Sequence, residues 1–173
     1  MLVFVTGVAG SGKSTLRAEL ASRGLSAHDA DDGISRHVSI ANGAAVTTPS
    51  RAEQTPKWAA GHEFRFDLEK VADLSAAATA ERPAFLLGAA YGDDEVVAIA
   101  DQSWFLDLDE AELRRRIAGR PRDQYGHAPH ELESILAWHA AAAERYAALG
   151  AHRLDAARPV GRIADELLEL ARS

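Results

Sequence analysis

The chain has 173 residues and no cysteine, and 26 acidic against 19 basic residues leave it a net charge of −7. That length suits one domain with a sizeable core, the missing cysteines exclude disulfides, thiolate metal sites and a cysteine nucleophile, and the acidic balance argues against a nucleic-acid partner. No apolar stretch approaches the roughly 20 residues of a membrane helix and the start lacks the basic segment of a signal peptide, so a cytoplasmic protein with no membrane partner is expected.

Leu2-Val3-Phe4-Val5-Thr6 is an apolar, β-branched run closed by Gly7 and reads as a buried strand. A helix follows from about Lys13 and stops at Gly24, a natural residue for a helix end. Residues 26–29 form a weaker strand candidate that runs into the acidic turn Asp29-Ala30-Asp31-Asp32-Gly33. Residues 41–50 read as loop, and 51–80 as mostly helical with an interruption near Pro56. Residues 84–88 and 104–108 are two further strands, and Asp109 and Glu112 after the second have capping-box spacing. That spacing favours a structural reading of Asp107. The polar segment 119–128, broken by Pro121 and Gly126, is a loop between two helices, the second opened by Pro129 and closed by Gly150. Residues 152–155 and 160–171 follow as a short strand and an amphipathic helix. Strands alternating with helices predict an α/β fold with a parallel sheet covered on both faces, which binds ligands beyond the carboxyl ends of its strands.

Gly7-Val8-Ala9-Gly10-Ser11-Gly12-Lys13-Ser14 fits the phosphate-loop pattern G-x-x-x-x-G-K-[ST] at every fixed position, with Thr15 next in the helix. The chemistry needs these residue types. Glycines let the backbone wrap closely and turn successive N–H groups inward, and the helix start adds unpaired donors and a positive dipole end. Lys13 would place its charge on the β- and γ-phosphates of ATP, and the Ser14 hydroxyl would ligate Mg²⁺.

This loop, the carboxylates Asp29 and Asp31, and five arginines between 114 and 122 together resemble the small P-loop kinases, namely the nucleoside monophosphate kinase, shikimate kinase and gluconate kinase families. The resemblance implies a three-layer P-loop NTPase fold over residues 1–173. It further implies a parallel five-stranded sheet in the order 2-3-1-4-5, a lid at about 119–128, an acceptor-binding lobe at about 34–70, and ATP as donor. Asp29-Ala30-Asp31 falls where shikimate kinase carries its Asp-x-Asp. Asp31 first, and Asp29 second, would accept the proton of an acceptor hydroxyl or hold the Mg²⁺ shell through water; the alternative is that they cap the next helix. Arg116, Arg120 and Arg122 match lid arginines, Arg116 on adenine and the other two on the transferring phosphoryl, while Arg114 and Arg115 suit a solvated helix face. Arg145 is either a phosphate contact or a surface charge. Arg36 and Trp58 are acceptor-binding candidates, and Trp58, His62, Phe64 and Phe66 with Arg51, Arg65 and Asp67 are either core or the wall of a site for a ring-bearing substrate.

The sequence also departs from these families. Leu87-Gly88-Ala89-Ala90 lacks the acidic residue of a strict Walker B strand and the three-glycine run of shikimate kinase. Residues 156–159 fall at an adenine-contacting loop or a plain turn, and His127 and His130 lack a third partner for a metal. The expected activity is transfer of the γ-phosphoryl of Mg²⁺-ATP to a small hydroxylated metabolite or nucleoside, by a monomer or homodimer. The rivals are a nucleoside monophosphate kinase and a nucleotide-binding switch or regulatory ATPase that acts through a partner.

Overall fold

A computed structural model describes residues 1–50, 53–122 and 124–171 of the chain; Arg51 and Asp123, which belong to the expected acceptor lobe and lid, lie outside them. Five parallel strands form the central sheet: β1 (Leu2–Thr6), β2 (Ser26–Asp29), β5 (Ala84–Leu87), β6 (Gln102–Asp107) and β7 (His152–Asp155). They lie in the spatial order β2-β5-β1-β6-β7. Counted along the chain within this sheet, that is the expected 2-3-1-4-5.

The strands are parallel because each is followed by a helix that returns the chain to the starting edge. β1, in the middle, is buried along its whole length, which is why it reads as a continuous apolar run. Its side chains alternate between two cores. Val3 and Val5 join Phe85, Leu87 and Phe105 beneath α1 (Lys13–Ser22), α5 (Glu110–Ala118), α6 (Pro129–Ala148) and α7 (Val160–Leu170), through Leu16, Leu113, Tyr146 and Leu167. Leu2 and Phe4 join Leu86 beneath α3 (Leu68–Ala77) and α4 (Asp93–Ile99), through Val71 and Val96. The result is three layers with the functional loops at the carboxyl edge of the sheet.

The segment 51–80 is not mostly helical. Its first helix, α2 (Pro56–Ala59), is one turn long, and β4 (His62–Phe66) pairs antiparallel with β3 (Ser35–Ser39), from Ser35↔Phe66 to Ser39↔His62. Neither strand is strongly apolar; what fixes them is partnership. Phe66 is buried edge-on against Phe4 at 5.7 Å between ring centroids, and the backbones of Phe64 and Phe66 pair with Tyr91 beyond β5. Tertiary pairing has overridden a local pattern rich in helix formers. The hairpin follows the acidic turn directly and falls within residues 34–70.

Candidate phosphate-transfer site

The loop after β1 closes on itself around its own lysine. Lys13 Nζ donates to the carbonyls of Gly7 at 2.5 Å and Val8 at 3.0 Å. Gly12 has φ +108°, a region only glycine enters freely. A Cβ on Gly7 would lie 2.6 Å from Ser11 Oγ and 3.0 Å from the Leu106 carbonyl, so the turn is built around its absence. Gly12 also leaves α1 without a side-chain cap, so the N–H groups of the first turn remain open to an anion. Burial inside the loop lowers the Lys13 ammonium to about 8, with Asp31 and Asp29 opposing the shift and Arg120 adding to it. One cleft thus holds the lysine, both carboxylates and Arg120 within electrostatic reach of one another.

The two carboxylates divide the alternatives left by the sequence. Asp29, at the end of β2, accepts the Asp31 backbone N–H at 3.1 Å and stands 3.8 Å from Arg17 Nε. It is the cap. Asp31 makes no such bond and lines the cleft. Partial desolvation, then the charge of Asp29, raises its carboxyl above the usual range, and Lys13 partly offsets this. Gly88 ends β5 directly beside this turn, and a Cβ on it would lie 2.2 Å from the Cβ of Ala30.

A cavity of about 1740 Å³ runs from the phosphate loop to the hairpin. At its donor end Arg116 is pinned rather than free: it donates to Glu112 at 2.7 Å, to the Ser11 carbonyl at 3.1 Å and to the Ala156 carbonyl at 2.8 Å. Arg115 and Arg116 together hold the Glu112 carboxyl down at about 2. Arg116 thus ties α5, the phosphate loop and residues 156–159 together beside Arg158, which pairs with Glu166.

In the segment after α5, Arg120 lines the cleft and donates to Gln124 Oε1 at 2.8 Å and the Tyr125 carbonyl at 3.0 Å. Glu131, buried at the start of α6, anchors the far end of the segment by accepting the N–H groups of Gly126 and Ala128. Arg122 does not join Arg120. It lines a separate cavity of about 360 Å³ with Gln54, Pro56 and His130, because Pro121 turns the chain between the two arginines. Among the described residues no group of three or more His, Asp or Glu side chains could hold a metal, His127 and His130 included.

At the hairpin end, Arg36 lines the cleft and pairs with Asp67, while Trp58 does not line it. The Trp58 ring stacks on His62 and lies edge-on to His37, so it backs a residue that does line the cleft. His37 carried no sequence signal; its position emerges only once β3 and β4 pair. Phe64 lines the cleft and Phe66 is core. Arg145 is exposed but not free: it grips Asp93 through both terminal nitrogens, at 2.8 and 2.6 Å, on the cleft wall. Arg114 pairs with Glu110 on the outer face, as expected, and Asp107 pairs with Arg153.

This geometry, a phosphate-loop motif at the carboxyl edge of a 2-3-1-4-5 parallel sheet covered by helices on both faces, is the three-layer fold of the P-loop kinases. No family model matches the sequence, and no curated protein matches it. Among solved structures the chain is similar to a shikimate kinase from Acinetobacter baumannii, at 16% identity and a TM-score of 0.62 over 98% of this chain and 91% of that one. It is similar to a sugar kinase from Janibacter, at 21% identity and 0.55 over 97% and 92%. It also resembles a deoxyadenosine kinase from M. mycoides, at 12% and 0.52 over 98% and 97%. Identities this low carry the architecture alone, and the chemistry rests on the side chains. No helix among the described residues is long and apolar enough to cross a membrane.

Proposed function

We propose that this protein is an ATP-dependent phosphotransferase that moves the γ-phosphoryl group to the hydroxyl of a small metabolite or nucleoside. The observation that carries the reading is the placement of a complete phosphate loop and Asp31 in one cavity, joined by the electrostatic coupling of Lys13 to Asp31. In this reading the loop amides and Lys13 hold the β- and γ-phosphates. Lys13 need only leave the two loop carbonyls it now bonds. Asp31, its carboxyl raised above the usual range, accepts the proton of the acceptor hydroxyl as its oxygen bonds to the γ-phosphorus and the bond to ADP breaks. Asp29 orients Asp31. Arg120 closes over the transferring group and excludes water, which discourages hydrolysis. Arg116 and residues 156–159 shape the purine end.

The donor set fits Mg²⁺, which takes few protein ligands and keeps waters and phosphate oxygens. Ser14 is exposed to the cleft at the start of α1 and would hold the ion directly, with Asp31 and Asp29 reaching its waters. The bound ion would neutralise phosphate charge. The shares of the named kinases in sugar, shikimate and nucleoside chemistry support a hydroxyl acceptor here, as does the lack of a Walker B carboxylate on β5 that a switch would use. The test is ADP release from ATP across a library of hydroxylated metabolites and nucleosides. Acceptor-dependent release that Lys13→Ala abolishes is expected; release that needs only a protein partner would refute the reading.

A further inference from the structure

The acceptor half of the cleft lies between the β3–β4 hairpin, the segment after β5, and one face of α6. Both of its arginines are already committed to carboxylates of this chain. Arg36 Nη1 lies 2.9 Å from Asp67, which is buried. Arg145 holds the buried Asp93 in a two-pronged pair, and the Tyr146 hydroxyl donates to the same carboxylate while accepting from Thr6 Oγ1 at 3.3 Å. His37, the remaining basic group there, is bonded to Thr48 Oγ1 at 2.8 Å and enclosed by Trp58 and Phe64. Burial and the neighbouring His62 lower its pKa and disfavour its charged form. Asp29 and Asp31 add negative charge at the floor. Finally, Ser35 borders the same cleft, and its buried Oγ has no hydrogen-bond partner among the described residues.

We propose, on the basis of the phosphotransferase reading above, that the acceptor is an uncharged, multiply hydroxylated molecule and not a carboxylate or phosphate ester. An anionic acceptor would have to compete with Asp93 for Arg145, or with Asp67 for Arg36, and so weaken the pair that balances a buried carboxylate. It would also approach the like charges of Asp29 and Asp31 at the floor of the cleft. Hydroxyl groups meet no such penalty. They donate to the remaining lone pairs of Asp93 and accept from the N–H groups of Arg36 that Asp67 leaves unused, while Phe64 and the exposed ring of Tyr91 cover the apolar face of the molecule. The reacting hydroxyl loses its proton to Asp31 as its oxygen takes the γ-phosphoryl and ADP leaves. The Asp93 and Asp67 pairs therefore act as filters: each is a charge already balanced, so charge on the acceptor gains nothing.

The test is ADP release with matched acceptors: a hexose against the hexonate of the same configuration, and a nucleoside against its 5′-monophosphate. The uncharged member of whichever pair turns over should have at least tenfold higher kcat/KM, a difference of about 1.4 kcal/mol. Equal or better turnover of the anionic member overturns the inference and leaves the phosphotransferase reading intact. ADP release with none of the four, in protein shown to bind ATP, counts against both. Asp93→Asn removes the charge and keeps the shape, and should shift the ratio toward the anion; should it fail to fold, Asp67→Asn makes the same test at Arg36. A folded variant with the parental ratio refutes the filter.

Discussion

Gly88→Ala isolates the contact that sets the acidic turn. The new methyl would stand 2.2 Å from the Ala30 Cβ, 3.4 Å from its Cα and 3.5 Å from its nitrogen. Carbon atoms pack at about 3.5–4.0 Å, so the two segments must part by about 1.3 Å or more. Ala30 is fully buried, and Asp29 before it is paired in register with Leu87, so the strain has no surface to relax into. It passes into the turn that carries Asp31. Overpacking of this kind costs about 1–3 kcal/mol, which for a chain of this size lowers the melting temperature by about 3–10 °C. A displacement near 1 Å at a reacting group costs on the order of 10²-fold in turnover. ATP affinity should change far less, because the phosphate loop hangs from β1 and α1. Calorimetric melting, ATP titration and steady-state ADP release would separate the three effects, and Ala30→Gly in the same chain should recover most of the loss. A Gly88→Ala protein that melts within about a degree of the parent and turns over at its rate would refute the proposed coupling between β5 and the acidic turn.

Lys13 titrates near 8 in the free protein, so it is charged below that pH and neutral above it. ATP affinity should be flat at lower pH and fall about tenfold per pH unit above 8, and titration calorimetry of Lys13→Arg should lose that fall. Asp31→Asn should lower kcat by ~10²-fold or more with little change in melting temperature. Because the Asp31 carboxyl is raised, the parental rate should decline as pH falls through a value above the ordinary 3.9, and the variant should lack that limb. Arg116→Ala removes three hydrogen bonds that join separate segments, and should both weaken ATP binding and destabilise by about 1–3 kcal/mol in a denaturant titration. Arg120→Ala should lower kcat and leave the melting temperature in place, while Arg122→Ala should leave both near parental values.

The phosphate loop and the parallel sheet were legible in the sequence because both are written in local chemistry. Glycine is the residue that tolerates the backbone of the loop at Gly12, and β1 can be apolar along its length only if both of its faces are covered. The order of strands followed from the resemblance to P-loop kinases and not from pattern. The hairpin was illegible, since Ser35–Ser39 and His62–Phe66 are polar segments whose strand character comes from each other, from Tyr91 and from Phe4. The same holds for the site's charges. Arg116 meets the Ser11 carbonyl 105 residues away, and Arg145 meets Asp93 52 residues away. Whether an arginine is a free phosphate ligand, a structural pin or half of a neutral pair depends on which carboxylate or carbonyl the fold delivers to it. The residue type sets what an arginine can bind, and only the tertiary structure decides what is left for a substrate.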